Sequence, residues 1–268
     1  MMERRLTGML AAAAVMILLF VFWDLFRPKP RSEAPLEPDS IVTHTSPPEA
    51  SSSSQGTAAP AQPSPSPGDP NYLELLARSE TRRRIRANAG STYLNDMLLA
   101  NADSMLRRWD DRSTSPVRVW FAPTYTANFQ PAFLDAIRSA FSSWSAAGVP
   151  VRFDFTADST NAEVTFRWKP QFEIERTGQT DLTWDGEGRI ESAVVTLATF
   201  DPKGRALDVG DVRVVAEHEI GHVLGLDHSP DSTDLMYATA KVRDLSDRDV
   251  RTVLLLYQLT PGSIRSIR

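Results

Sequence analysis

Apolar residues run almost unbroken over 6–26, interrupted only by Thr7, Gly8 and Asp24, and this matches the roughly 20 apolar residues a helix needs to cross a bilayer. Arg4 and Arg5 precede the stretch. Arg27, Lys29 and Arg31 follow it with no small-x-small cleavage pattern. The pattern predicts an uncleaved N-terminal transmembrane anchor over 1–27 rather than a signal peptide, while basic residues on both sides leave its orientation undetermined. From 28 to 70 the periodicity disappears into Pro, Ser, Ala and Glu, including Ser51-Ser52-Ser53-Ser54 and Pro63-Ser64-Pro65-Ser66-Pro67, and this composition predicts a disordered linker.

Helical spacing begins after Asn71. Leu73, Leu76 and Ile85, then Leu94, Leu98, Met105 and Leu106, predict two short helices split at Gly90, a helical segment over 71–115. Residues 117–121 alternate and stop at Pro123, as a strand does. Phe129, Phe133, Ile137, Phe141 and Trp144 then recur at three- and four-residue steps, predicting an amphipathic helix over 128–147 closed by Gly148. Residues 151–155, 162–168 and 190–200 are further strand candidates. The order predicts an α+β domain over 116–260, with helices on a twisted mixed sheet and a short tail at 261–268.

Composition narrows the function. The 268 residues carry 29 basic against 34 acidic side chains, a net charge of −5, so the excess of positive charge that tracks nucleic-acid phosphates is missing. With no cysteine in the chain, disulfides, thiolate metal sites and a cysteine nucleophile are excluded together. Of four histidines, His44 lies in the linker with no patterned partner and takes no role, whereas His218, His222 and His228 fall within eleven residues.

The surrounding sequence, DVRVVAEHEIGHVLGLDH over 211–228, predicts a helix with Asp211 as N-cap that runs to about Leu224. At about 100° per residue, His218 and His222 lie within about 40° of each other on one face, one turn apart, so two imidazoles can grip one metal ion. Glu219, about 60° around from His222, reaches a metal-bound water without being a ligand, the position of a general base. Gly225 permits a left-handed turn that returns His228 to the metal. Three neutral imidazoles leave the fourth position of a tetrahedral Zn(II) open for water, as catalysis requires. The expectation is hydrolysis through a zinc-activated water with Glu219 as general base.

These five residues spell H-E-x-x-H-x-x-G-x-x-H, and the chain resembles the metzincin zinc peptidases. Ser229 and Leu235-Met236-Tyr237 resemble the matrixin branch in its compact bacterial form. The resemblance implies a metalloendopeptidase domain with one catalytic Zn(II), a protein or peptide substrate, and Met236 in a tight turn beneath the ligands. It also implies a last helix over 245–257, with a capping-box pattern at Ser246 and Asp249, and a strand near 190–200 as the edge that pairs with substrate. It leaves calcium and the substrate-binding residues unassigned. The sequence departs from the animal matrixins in lacking a propeptide cysteine and a second histidine-rich zinc site, and in placing Ala238 where proline often follows Met-Tyr. With the anchor, the expectation is a single-pass membrane protein whose peptidase domain lies outside the cytoplasm, or a secreted one if the N-terminal segment is cleaved. The alternative is a tethered binding or scaffold protein with a non-catalytic zinc site.

Overall fold

The computed structural model describes residues 72–101 and 103–264. The expected anchor, linker and His44, and the last four residues of the tail, lie outside the described residues. Among the described residues no helix is long and apolar enough to cross a membrane.

In chain order the elements are α1 (Tyr72–Ala87), α2 (Leu94–Ala100), β1 (Met105–Leu106), β2 (Arg112–Phe121), α3 (Ala132–Ala146), β3 (Val151–Phe155), β4 (Val164–Lys169), β5 (Gly178–Trp184), β6 (Ile190–Ala198), α4 (Val209–Val223), α5 (Asp247–Tyr257) and β7 (Gly262–Ser263). Five strands form a mixed sheet in the order β3-β2-β4-β6-β5, parallel throughout except for β5 against β6. The architecture is the expected α+β type. Helix α3 buries Phe133, Ala136, Ile137, Ala140, Phe141 and Trp144, one face at helical spacing, and packs on β3 and α4, while α4 lies against β5 and β6.

Helix α4 buries residues all around its axis, from Val212 through Val223, His218, Glu219 and Glu217 included. Asp211, Val215 and His222, spaced along one side, stay partly open, and two tryptophans that donate to carbonyls of the helix hold it in this rotation. Trp144 Nε1 bonds Glu217 O and Trp109 Nε1 bonds Val223 O, each at 2.8 Å. Both indoles are fully buried, where an unpaired N–H would cost about 1–3 kcal/mol.

Four sequence expectations change. The strand near 190–200 is not a free edge, because β6 is paired on both sides. The edge beyond β6 is β5, with β3 at the opposite edge, and β5 escapes the sequence pattern because GQTDLTW is covered only in part and so lacks apolar alternation. Met105 and Leu106 are not helical: the chain turns extended at Asn101, takes a left-handed conformation at Ser104 (φ 49°), and pairs β1 with β7. Helix α3 starts at Ala132 rather than 128, since Asn128 is left-handed (φ 62°) and its amide nitrogen binds the carbonyls of Thr199 and Leu207. Asp208, not Asp211, caps α4, with Asp211 closing a capping box at the third helical position. The last helix starts as expected, with Ser246 and Asp249 forming its box.

The segment over 71–115 shares the domain core. Ile85, Tyr93, Leu94, Met97, Leu98, Leu106 and Trp109 join the same apolar cluster as α3, α4 and α5. The arginine run on α1 also docks it, with Arg82 donating to Ile264 O and Arg84 to Gln258.

Candidate metal centre

The side chains of His218, His222 and His228 come together so that one ligand atom from each lies within 4.8 Å of the others. Their ring centroids are 4.9, 5.4 and 4.9 Å apart. Helical spacing supplies the first two. The third comes from Gly225, whose φ of +96° turns the chain immediately past the helix.

The ring tautomers follow from the partners. His218 Nδ1 lies 2.8 Å from Leu235 O, and His222 Nδ1 lies 2.8 Å from Leu226 O. A carbonyl oxygen only accepts, so each Nδ1 carries the proton and each Nε2 keeps its lone pair. This is the support that metal-ligating imidazoles generally have. Burial, reinforced for His218 by His222 and for His222 by His228, lowers both pKa values to about 4. The two rings are therefore neutral at physiological pH. Three nitrogen donors with no thiolate and no carboxylate among them suit Zn(II).

Those shifts have a measurable consequence. An unfolded chain protonates these imidazoles near pH 6.5, whereas the folded protein resists until about pH 4. Their contribution to the metal-free fold is thus intact above about pH 6.5 and lost as pH falls towards 4, on the order of 3 kcal/mol for one ring at about 1.4 kcal/mol per pKa unit. The buried carboxyls of Glu217 and Glu219 are pushed up by burial and act in the opposite sense. In chelated protein followed by imidazole NMR, His218 and His222 should titrate near pH 4, and midpoints near 6.5 would contradict this picture.

Glu219, 5% exposed, faces β5. Thr180 Oγ1 lies 2.7 Å from Glu219 Oε2, and a Cβ at Gly178 would stand 2.3 Å from Oε1. Met236 is fully buried. Its sulfur approaches Gly221, between His218 and His222, so closely that a Cβ there would meet Sδ at 2.3 Å. The turn carrying Met236 is held by Asp249, whose carboxylate accepts from Leu235 N (2.8 Å) and Met236 N (3.4 Å), and from the Tyr93 hydroxyl (3.1 Å). The same Leu235 supplies the carbonyl that orients His218. A cleft of about 1150 Å³ opens at the histidines, walled by β5 on one side and by the segment after Met236 on another.

All six site residues read from the sequence, His218, Glu219, His222, Gly225, His228 and Met236, meet in this one place. Gly178, Thr180, Gly221, Trp109 and Tyr93 were not legible as parts of it. Gly221 alone carried a signal, because a glycine inside a helix costs about 1 kcal/mol and implies a close neighbour. Asp249 was legible as a capping residue, and its hold on the Met236 turn was not.

Residues 119–258 match the family model described as Matrixin. The chain is 34% identical over 142 residues to Metalloendoproteinase 1-MMP of Arabidopsis thaliana, a match covering 46% of this chain and 37% of that protein. It is 27% identical over 168 residues to Metalloendoproteinase 1 of Glycine max, covering 58% and 54%. A shorter stretch of 65 residues is 40% identical to Matrilysin of Felis catus, covering 24% of this chain and 21% of that protein. The chain thus spans between about a third and a half of the length of these plant relatives.

Proposed function

Because the chain belongs to the matrixin family, we propose that it is a zinc-dependent endopeptidase that hydrolyses peptide bonds in protein or peptide substrates. The observation that carries the reading is the convergence of three imidazoles, two with Nδ1 bound to carbonyls, beside a buried carboxylate. His218, His222 and His228 would hold the Zn(II). When bound, the ion polarises the scissile carbonyl and lowers the pKa of water towards about 7.

Glu219 takes a proton from the attacking water and delivers it to the leaving amine. Burial raises the Glu219 carboxyl pKa above its ordinary value in the metal-free protein. Edge strand β5 offers unpaired main-chain groups beside Glu219, which supports strand addition by an extended substrate along Gly178–Trp184. Gly225 sets the turn to the third ligand, and Met236 floors the site. A purely structural zinc site has no need of an acid beside an open coordination position, so the scaffold reading is not favoured.

Membrane tethering is part of the same proposal. The apolar run over 6–26 with basic residues at both ends supports it. The organisation proposed is anchor, linker, helical segment and peptidase domain, with the peptidase outside the cytoplasm.

The test is peptide-library cleavage by the full-length protein with and without a chelator, alongside its bound zinc. About one zinc per chain is expected, with cleavage abolished on chelation and restored by added zinc. A pure, folded sample that cleaves in the chelator, or that holds zinc and cleaves nothing, would overturn the reading.

A further inference from the structure

We propose that Thr180 is a positioning residue for the reaction, its hydroxyl fixing the Glu219 carboxylate in the orientation needed for proton transfer. This rests on the reading of Glu219 as the general base. Thr180 Oγ1 is 2.7 Å from Glu219 Oε2 and 3.2 Å from Glu219 O. A threonine hydroxyl has one proton to donate, and the closer, anionic oxygen takes it as a charge-assisted bond. The 3.2 Å contact is left without a proton.

Gly178 completes the arrangement. Residues two apart on a strand share a face, and at Gly178 that face is empty. A Cβ there would stand 2.3 Å from Oε1 and 2.7 Å from Cδ of Glu219. The strand thus grips one carboxylate oxygen at Thr180 and makes room for the other at Gly178. Among the described residues no other side chain donates a hydrogen bond to this carboxylate. Arg176, the nearest basic residue on the same stretch, bonds Gln179 instead.

A glutamate on a helix has three side-chain torsions, and burial alone does not choose among their combinations. A reacting group displaced by about 1 Å can lose on the order of 10²-fold in rate. Holding that geometry calls for a fixed donor on a rigid element. Strand β5 is such an element, because its backbone is paired with β6 through Thr180 and Val195 independently of the hydroxyl. Removing the hydroxyl therefore leaves the sheet intact.

The experiment uses the full chain with Thr180→Val, Thr180→Ser, Glu219→Gln and the double variant Thr180→Val/Glu219→Gln. Thr180→Val should lower kcat about 10- to 100-fold with KM within about twofold, with zinc content unchanged and the protein fully folded at the assay temperature, its unfolding midpoint lowered modestly by the lost bond. Thr180→Ser, which keeps the donor, should recover kcat to within about threefold of the parent. In the Glu219→Gln background, Thr180→Val should add no further loss. A Thr180→Val enzyme with parental kcat beside an inactive Glu219→Gln overturns this inference alone. So does a Ser variant as impaired as the Val variant, or a loss accounted for by zinc content or by the fraction of folded protein. Full activity in Glu219→Gln overturns the general-base reading and this inference together.

Discussion

Glu219→Gln is expected to lower cleavage by about 10²- to 10⁴-fold, the usual contribution of a positioned general base, while the protein keeps its zinc and its fold. The substitution preserves volume in a site where Glu219 is buried between α4 and β5, and the amide oxygen can still accept from Thr180. What it removes is the capacity to hold and return a proton. None of the imidazole partners, Leu235 O and Leu226 O, is touched, so metal content should match that of the parent. Steady-state kinetics on a peptide found in the library screen, with zinc measured on the same sample, checks both halves. An active, zinc-loaded Glu219→Gln protein would refute the assigned role.

Gly225→Ala should do comparable damage by a different route, through loss of the third ligand. Its φ of +96° is one that residues with a Cβ avoid at about 1–2 kcal/mol. The new Cβ would also stand 2.1 Å from Arg107 O, a backbone atom with little freedom to retreat. Arg108 N bonds Gly188 O, Arg108 Nε bonds Leu259 O, and Trp109 Nε1 bonds Val223 O, so the stretch around Arg107 is fixed on three sides. Relief has to come from the turn, and moving it carries His228 away from His218 and His222. We expect a stability loss above about 3 kcal/mol and zinc occupancy well below one per chain. Equilibrium unfolding and metal analysis would show it, and a Gly225→Ala protein with parental stability and zinc would mean that the turn is not strained.

The same geometry gives residues 72–111 a part in the site. Trp109 pins the end of α4, Arg107 backs the turn at Gly225, Asn101 donates to Asp227 next to His228 (3.1 Å), and Tyr93 holds Asp249. The family match begins at 119, so these supports lie before it in the chain. They recur at no fixed spacing from the histidines, and for that reason no local pattern could have announced them.

The sequence by itself determined the convergence of three histidines, the acid beside them and the glycine turn, because all five residues sit on one helix and the turn that leaves it. Over eleven residues, helical geometry fixes which side chains share a face. It also determined α3 and strands β2, β3, β4 and β6, where apolar periodicity reports a buried face; α5 followed from the family resemblance, and the spacing on α1 rests partly on Leu73 and Leu76, which are exposed. Only the tertiary structure decided which strand is the edge, because β5 is half covered and carries no apolar alternation, and only pairing tells an edge from a centre. Only it decided the rotation of α4, a largely buried helix whose carbonyls are met by Trp109 from before the sheet and Trp144 from α3. And only it brought Thr180 to Glu219 across 39 positions of chain, because a hydrogen bond between a strand and a helix depends on how they pack, and neither segment encodes that alone.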